Sequence, residues 1–335
     1  MKRADLNDTD EELDLDFSME DEDTSADTDF SFNNENNESD SSDTDSSAEN
    51  NEDDDNIVLE DEDTYDEADE AFDRAEKKRA KGSLIRNVIL VIAVIVFCYS
   101  AYMLTNIFLE YKKGTDTYKE IDNTVINEDS TISVDFGEQE VEIPFTYDHE
   151  TLTSINPDAI GYLYLPAIEI RLPFVQTTDN DYYLYRTFNR TDNKAGCLFE
   201  DARSIGGADA KNVVIHGHNM KNGSMFGKLQ RYKSSGLTMS PGNNYIYIYT
   251  GNVIKRYQIF SVHISDPVSD TYTFNFPTDA DLLSYAEQMK SRSLFDTQAD
   301  ISNVKQIVTL STCTNSSDQR VVVHAAYIDE AAITQ

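Results

Sequence analysis

Hydrophobic and polar positions divide the chain into three regimes. Through residue 73 apolar residues are scattered among Asp, Glu, Asn, Ser and Thr, with only Tyr65 to Arg79 readable at helical spacing. From Asn87 to Leu109 the apolar run is nearly unbroken: no charge falls between Val88 and Ala101, and Ser100, Thr105 and Asn106 are the polar interruptions. At about 1.5 Å per residue, some 20 such residues cross a roughly 30 Å hydrocarbon core, so a transmembrane helix is predicted. After a weakly patterned stretch, strand signals follow at Ile160–Leu165, Ile168–Val175, Gly196–Glu200, Asn212–His216, Tyr245–Thr250, Ile254–Ile264, Lys305–Thr312 and Arg320–Ile328. About eight such strands with Gly, Asn and Pro between them predict a mainly β domain, a closed or nearly closed barrel rather than a doubly wound α/β sheet.

Helical spacing is sparse in this last regime: Asp179–Phe188, Met225–Ser234 and Asp279–Phe295. In the third, Leu282, Leu283, Ala286, Met289 and Leu294 share a face, and Thr278 or Asp279 can cap the start. Lying between two strands, it is predicted to cross a barrel end and to wall a pocket beside Cys313.

Charge sharpens the boundaries. Residues 1–73 hold 32 acidic and 2 basic residues, a net of −30 out of −36 for the 335-residue chain. Such a segment buries too little apolar surface to offset the roughly 1–2 kcal/mol per residue lost on ordering backbone, so a disordered tail is expected. Arg74, Lys77, Lys78, Arg79, Lys81 and Arg86 then precede the apolar run, and basic residues beside a span stay cytoplasmic. The apolar run starts too far into the chain for a signal peptide. The expected organisation is a disordered acidic cytoplasmic tail (1–73), a basic juxtamembrane segment (74–86), a transmembrane helix (87–109), a linker or stalk (110–146) and an extracytoplasmic domain (147–335). No nucleic-acid partner is expected.

The candidate chemistry centres on Ile307 to Ala325, two β-branched runs joined by Asn315, Ser316, Ser317 and Asp318. Cys313 ends the first run and Arg320 starts the second. A nearby positive charge favours the thiolate, the form that attacks carbonyl carbon; a buried structural cysteine beside a surface arginine fits the same residues. Cys197 and Cys313 are the cysteines outside the span, which leaves a disulfide open. His216 and His218 frame Gly217 at a strand end. Alternation places both rings on one side, a metal-ligand arrangement, but no third ligand stands at supporting spacing. His324 reads as a core or edge histidine, and His149 and His263 carry no specific signal. A nucleophilic cysteine needs an imidazole and a donor for the oxyanion. Here histidine precedes cysteine, the reverse of the papain-like order.

Gly217-His218-Asn219-Met220, Gly223-Ser224-Met225-Phe226-Gly227-Lys228-Leu229 and Thr309-Leu310-Ser311-Thr312-Cys313 with Arg320 together resemble a class B sortase, a membrane-anchored transpeptidase of Gram-positive bacteria. The likeness continues upstream through Ile155 to Tyr162, Pro173 to Gln176 and Asp179 to Leu184, so it covers roughly Leu152 to Ile328. The resemblance implies an eight-stranded sortase barrel, with Asp279–Phe295 as the extra class B helix. It implies Cys313 as nucleophile, His218 as general acid and base, and Arg320 as the group that positions substrate and stabilises the oxyanion. Ser311, Thr312 and Asn219 would bind substrate, with no cofactor or metal. The implied reaction cleaves a secreted protein's C-terminal sorting signal after threonine, through a thioacyl enzyme that a peptidoglycan-precursor amine resolves. A pilin-polymerising sortase with a lysine acceptor, or a non-catalytic membrane-tethered barrel that binds peptide or cell wall, would carry the same anchor. Three features depart from the family pattern: His216 stands where an aromatic often precedes the Gly-His pair, only six residues separate Cys313 from Arg320, and the acidic tail is additional.

Overall fold

The structure, a computed structural model, describes residues 63–137, 140–314, 316 and 318–333. Most of the acidic tail expected to be disordered lies outside the described residues; residues 63–73 are helical. Helix α1 (Asp63–Val125) is 63 residues long, about 95 Å at helical rise. It is long and apolar enough to cross a membrane. Its apolar side chains from Val88 to Leu109 are exposed, Phe97 by 73%, which suits a hydrocarbon surround and not water.

Beyond the apolar run, the structure differs from the expected linker over 110–146. The last turns of α1 bury Tyr118, Ile121 and Val125 in the barrel's core cluster. Two small antiparallel ladders follow, Ile126–Asn127 with Thr146–Tyr147 and Ile132–Asp135 with Glu140–Ile143. Phe136, Ile143 and Phe145 are buried with them. Phe145 lies 5.0 Å from the Tyr164 ring and 5.4 Å from that of Tyr249, and Asp122 is bonded by Tyr162 and Arg171. The sequence pattern is weak here because each short element buries only one or two side chains, which spacing alone does not reveal.

The barrel is closed by eight strands: β1 (Ala159–Leu165), β2 (Ile170–Gln176), β3 (Leu198–Glu200), β4 (Asn212–His216), β5 (Tyr245–Thr250), β6 (Val253–Ser265), β7 (Ile307–Cys313) and β8 (Arg320–Ala332). Their order round the barrel is β6-β8-β7-β4-β3-β2-β1-β5, with β5 closing onto β6. This is the mainly β, eight-stranded barrel that the run of strand signals predicts, since closure satisfies every strand edge. β2–β3 and β4–β7 are parallel pairs, helix α2 (His149–Ile155) precedes β1, and the chain between β6 and β7 carries helix α3 (Asp279–Ser291). Register shifts at Arg256/Tyr257 and Ile259/Ser261 bend the 13-residue β6 so that it serves both β5 and β8.

Alternation along β7 sets the two faces. Val308 and Leu310 enter the barrel core with Val213, Ile215 and Val323. Ile307 faces outward with Phe260 and Ala326, under Leu282, Ala286 and Met289 of α3. Thr309, Ser311 and Cys313 share that outer face by period two. On it, Thr309 Oγ1 donates to Asn212 Oδ1 at 2.7 Å and meets His324 Nδ1 at 2.8 Å, so His324 is a buried histidine of the layer beneath α3.

Two predicted helices are corrected. Asp179–Phe188 is a run of turns, because Asp179 Oδ1 accepts the main-chain N–H groups of Asp181 and Tyr182 and so competes with helix hydrogen bonds. Met225–Ser234 shrinks to a 3-10 segment, Gly227–Lys233, preceded by Met225 at φ 50°. α3 itself ends at Ser291, and Leu294 N instead donates to Val262 O of β6 at 2.8 Å.

Glu200, at the end of β3, is fully buried and neither carboxyl oxygen has a partner among the described residues. Burial, with the Asp201 and Asp209 charges added, pushes its carboxyl up to about 8. The folded chain therefore holds a proton that the unfolded chain releases at ordinary carboxyl pH, and stability falls as pH rises toward 8. Glu200→Gln is expected to raise the melting temperature more at pH 8 than at pH 5; an equal gain at both would contradict the shift.

Candidate active site

A cleft of about 220 Å³ opens on the outer face at the C-terminal ends of β4 and β7. Its walls include Asn180, Leu184, His216, His218, Ser311, Thr312, Cys313 and Arg320. Five of the six sequence-predicted site residues thus meet in one place. The sixth, Asn219, is drawn elsewhere: its amide donates to Thr314 O at 3.2 Å and braces the loop after Cys313. α3, expected to wall the pocket, contributes no residue to it. Instead Tyr272, in the chain leading to α3, donates to or accepts from Ser311 Oγ at 2.8 Å.

β-sheet register assembles the set. Cys313 and Arg320 are the last paired residues of the β7–β8 antiparallel ladder, so the short loop between them forces thiol and guanidinium side by side. β4 runs parallel to β7 with Ser311 opposite His216, and the chain continues through Gly217, whose N–H donates to Ser311 O at 3.2 Å. Thr312 Oγ1 returns a 2.8 Å bond to Gly217 O, and Gln230 Nε2 donates to Cys313 O at 2.9 Å. His218, directly after Gly217, thereby lines the same cleft as Cys313. Cys197 and Cys313 are both free thiols. Cys197 is buried in the core, where desolvation pushes its thiol up to about 12, whereas Cys313 is half-buried at the cleft.

The two histidines face different partners. His218 Nε2 is 2.7 Å from Leu184 O, and its ring lies 5.7 Å from that of Tyr185. His216 Nε2 is 3.0 Å from Asp201 Oδ2. Neither ring is turned toward a shared metal-ligand set, and among the described residues no group of three His, Cys, Asp or Glu converges.

The segment that supplies Leu184 O is fixed from below by α1. Tyr118 Oη donates to Gly196 O at 2.6 Å and accepts from Phe188 N at 3.3 Å. Gly196 adopts φ +60°, and a Cβ there would stand 2.4 Å from Leu184 O and 3.1 Å from His218 Cδ2. Gly196→Ala is therefore expected to displace Leu184 O from His218, costing about 1–3 kcal/mol of stability and activity beyond that loss; a fully active variant would show that this contact does not hold the ring.

Several of these residues carry no signal that sequence reading used. Leu184 acts through its main chain, Asp201 and Arg203 reach the cleft from the turn after β3, and Tyr272 comes from the chain between β6 and α3. An Asp-x-Arg sequence directly after a strand was the one visible cue.

A Sortase domain family profile matches residues 163–328. Sortase B of Listeria monocytogenes is 30% identical over 217 residues, covering 63% of this chain and 86% of that protein. Sortase B of Staphylococcus aureus is 24% identical over 249 residues, 73% of this chain and 96% of the relative. Among solved structures, sortase B from B. anthracis superposes with a TM-score of 0.54 at 28% identity, covering 66% of this chain and 99% of that one. Clostridium perfringens sortase B gives a TM-score of 0.50 at 30% identity, covering 54% of this chain and all (100%) of the other. The chain belongs to the class B sortases and is a sortase-type transpeptidase.

Proposed function

We propose that Cys313, His218 and Arg320 are the reacting set of this transpeptidase. Supporting this is the pairing of Cys313 with Arg320 at the end of the β7–β8 ladder, in a cleft that His218 also lines. The Cys313 thiolate attacks the carbonyl carbon of a threonine in a C-terminal sorting signal. Arg320 donates to the oxyanion that develops, where a charged donor acts most strongly because its partner forms only in the transition state. His218, whose ring Leu184 O orients, gives a proton to the leaving amine. The resulting thioester of Cys313 is resolved by an amine of a cell-wall precursor, which leaves the secreted protein covalently anchored. Ser311 and Thr312 line the substrate's path, and Asn219 supports the loop over it.

The proposed setting is the outer membrane face. α1 crosses the bilayer over about residues 87–109, with the basic cluster and residues 1–73 on the cytoplasmic side and the barrel outside. No cofactor enters the reaction.

The test is the product. Full-length chain in detergent, given threonine-containing sorting peptides and an amine acceptor, is expected to yield a new amide at the threonine carboxyl by mass spectrometry. Cleavage at another bond would contradict the assignment, and a lysine side chain as the preferred acceptor would favour pilin polymerisation over wall anchoring.

A further inference from the structure

The cleft holds two imidazoles, and the groups that orient them are chemically unlike. His218 Nε2 meets a neutral main-chain carbonyl, Leu184 O, at 2.7 Å. His216 Nε2 meets Asp201 Oδ2 at 3.0 Å, a carboxylate whose side chain is 1% exposed. Asp201 is itself pinned: Arg203 donates Nε and Nη2 to its two oxygens at 2.9 and 2.8 Å, and Arg203 N reaches Oδ1 at 3.0 Å. Burial opposes ionisation of Asp201, but the hydrogen bonds from Arg203 and His216 hold its carboxyl well below the usual range. The His216 ring lies 5.3 Å from that of Phe199 and 5.9 Å from that of Tyr272, so its plane is fixed. Among the described residues the hydrogen bond of this ring is made through Nε2, not through Nδ1. Pairing with Ser311 puts His216 on the outer face that carries Cys313, two residues further along β7.

An imidazole whose N–H is held by a buried carboxylate is locked in one tautomer, and the imidazolium it forms on taking a proton is stabilised. We propose that His216, oriented by Asp201, is the base that takes the proton of the amine resolving the acyl enzyme. This rests on the acyl-enzyme reading above and divides the proton transfers between two histidines. His218 serves the leaving amine in the first half-reaction, and His216 serves the incoming amine in the second. The incoming nitrogen bonds to the thioester carbonyl carbon and its proton passes to Nδ1 of His216. The carbon–Sγ bond then breaks, its electron pair returning to Cys313 as thiolate. His216 releases the proton to water, and His218 regains one from water before the next turnover. Asp201 is a positioning residue for this step, and Arg203 holds Asp201.

The experiment separates the halves. Full-length chain in detergent is acylated by a threonine-containing sorting peptide without amine, and decay of the adduct is followed by intact mass after adding glycinamide or hydroxylamine. Glycinamide is largely protonated at neutral pH and gives up a proton as it attacks; hydroxylamine is largely unprotonated and a strong nucleophile without a base. His216→Phe keeps the ring packing, and His216→Gln keeps a donor to Asp201. In both, adduct formation is expected to change less than about threefold while decay with glycinamide falls about 100-fold. Decay with hydroxylamine is expected to fall less than about tenfold, and Asp201→Asn to slow the glycinamide reaction by about tenfold or more. Equal losses with both nucleophiles, or lost adduct formation in both variants, would assign His216 to packing or to acylation and overturn the proposal. Unchanged decay would overturn it alone, leaving the acyl-enzyme reading intact. Absence of any adduct on the unsubstituted chain would remove both readings.

Discussion

Cys313→Ala is expected to lower peptide cleavage by about 10⁴-fold or more while leaving the melting temperature within a few degrees of the unsubstituted chain. The size follows from chemistry: removal of the nucleophile leaves only oriented donors and bound water, and no thioester can form. The small stability effect follows from position. Cys313 is half-buried at the last pair of β7, with its main chain held by Gln230 and the β8 ladder rather than by its thiol. Cys197→Ala makes the contrasting control. That thiol is buried in the core beside Tyr118, so its loss is expected to cost about 1 kcal/mol of stability and little activity per folded molecule. Cleavage retained by Cys313→Ala, or abolished by Cys197→Ala at full folding, would reverse the assignment of the two thiols.

Arg320 carries the second large effect. Arg320→Ala is expected to lower kcat/KM by about 10²–10³-fold, mostly through kcat, because the oxyanion it serves exists only near the transition state. Arg320→Lys keeps the charge but loses the planar fork that can bond an oxygen and hold substrate together, so it is expected to recover no more than about a tenth of the lost rate. The loop geometry bears on this: Arg320 Nη1 donates to Gln319 O at 3.2 Å and Thr314 N to Gln319 O at 2.9 Å. The short connection thus shapes where the guanidinium sits. A loss confined to KM would make Arg320 a substrate clamp without an oxyanion role, and full rescue by lysine would reduce it to a point charge.

The contrast between what spacing revealed and what it did not has physical causes. β4 and β5 stand where their apolar residues placed them because a strand buried on one or both faces must show those positions in sequence, and Cys313 and Arg320 fell at strand ends for the same reason. Their register partnership needed only a short loop. The crossover helix was visible from Leu282 to Met289, but its end was not: Leu294 keeps helical spacing while its N–H is taken by Val262 O of β6. Asp179–Phe188 shows the opposite failure. A plausible periodicity there yields to one carboxylate that captures two main-chain donors. The stretch 110–146 was opaque because Phe136 and Phe145 are buried against tyrosines from distant strands, a tertiary effect. The parts of the cleft that escaped reading are of two kinds. Leu184 contributes a carbonyl that every residue type possesses. Asp201 and His216 lie 15 positions apart and meet only because β3 and β4 are antiparallel neighbours.

The central claim, a thioacyl enzyme on Cys313, is tested most directly by intact-mass analysis of the full-length chain incubated with threonine-containing sorting peptides and no amine acceptor. The expected result is a mass increase equal to the peptide portion ending at threonine, mapped to Cys313 and reversed by hydroxylamine. No adduct with any peptide of the panel, or an adduct on a residue other than Cys313, would contradict it.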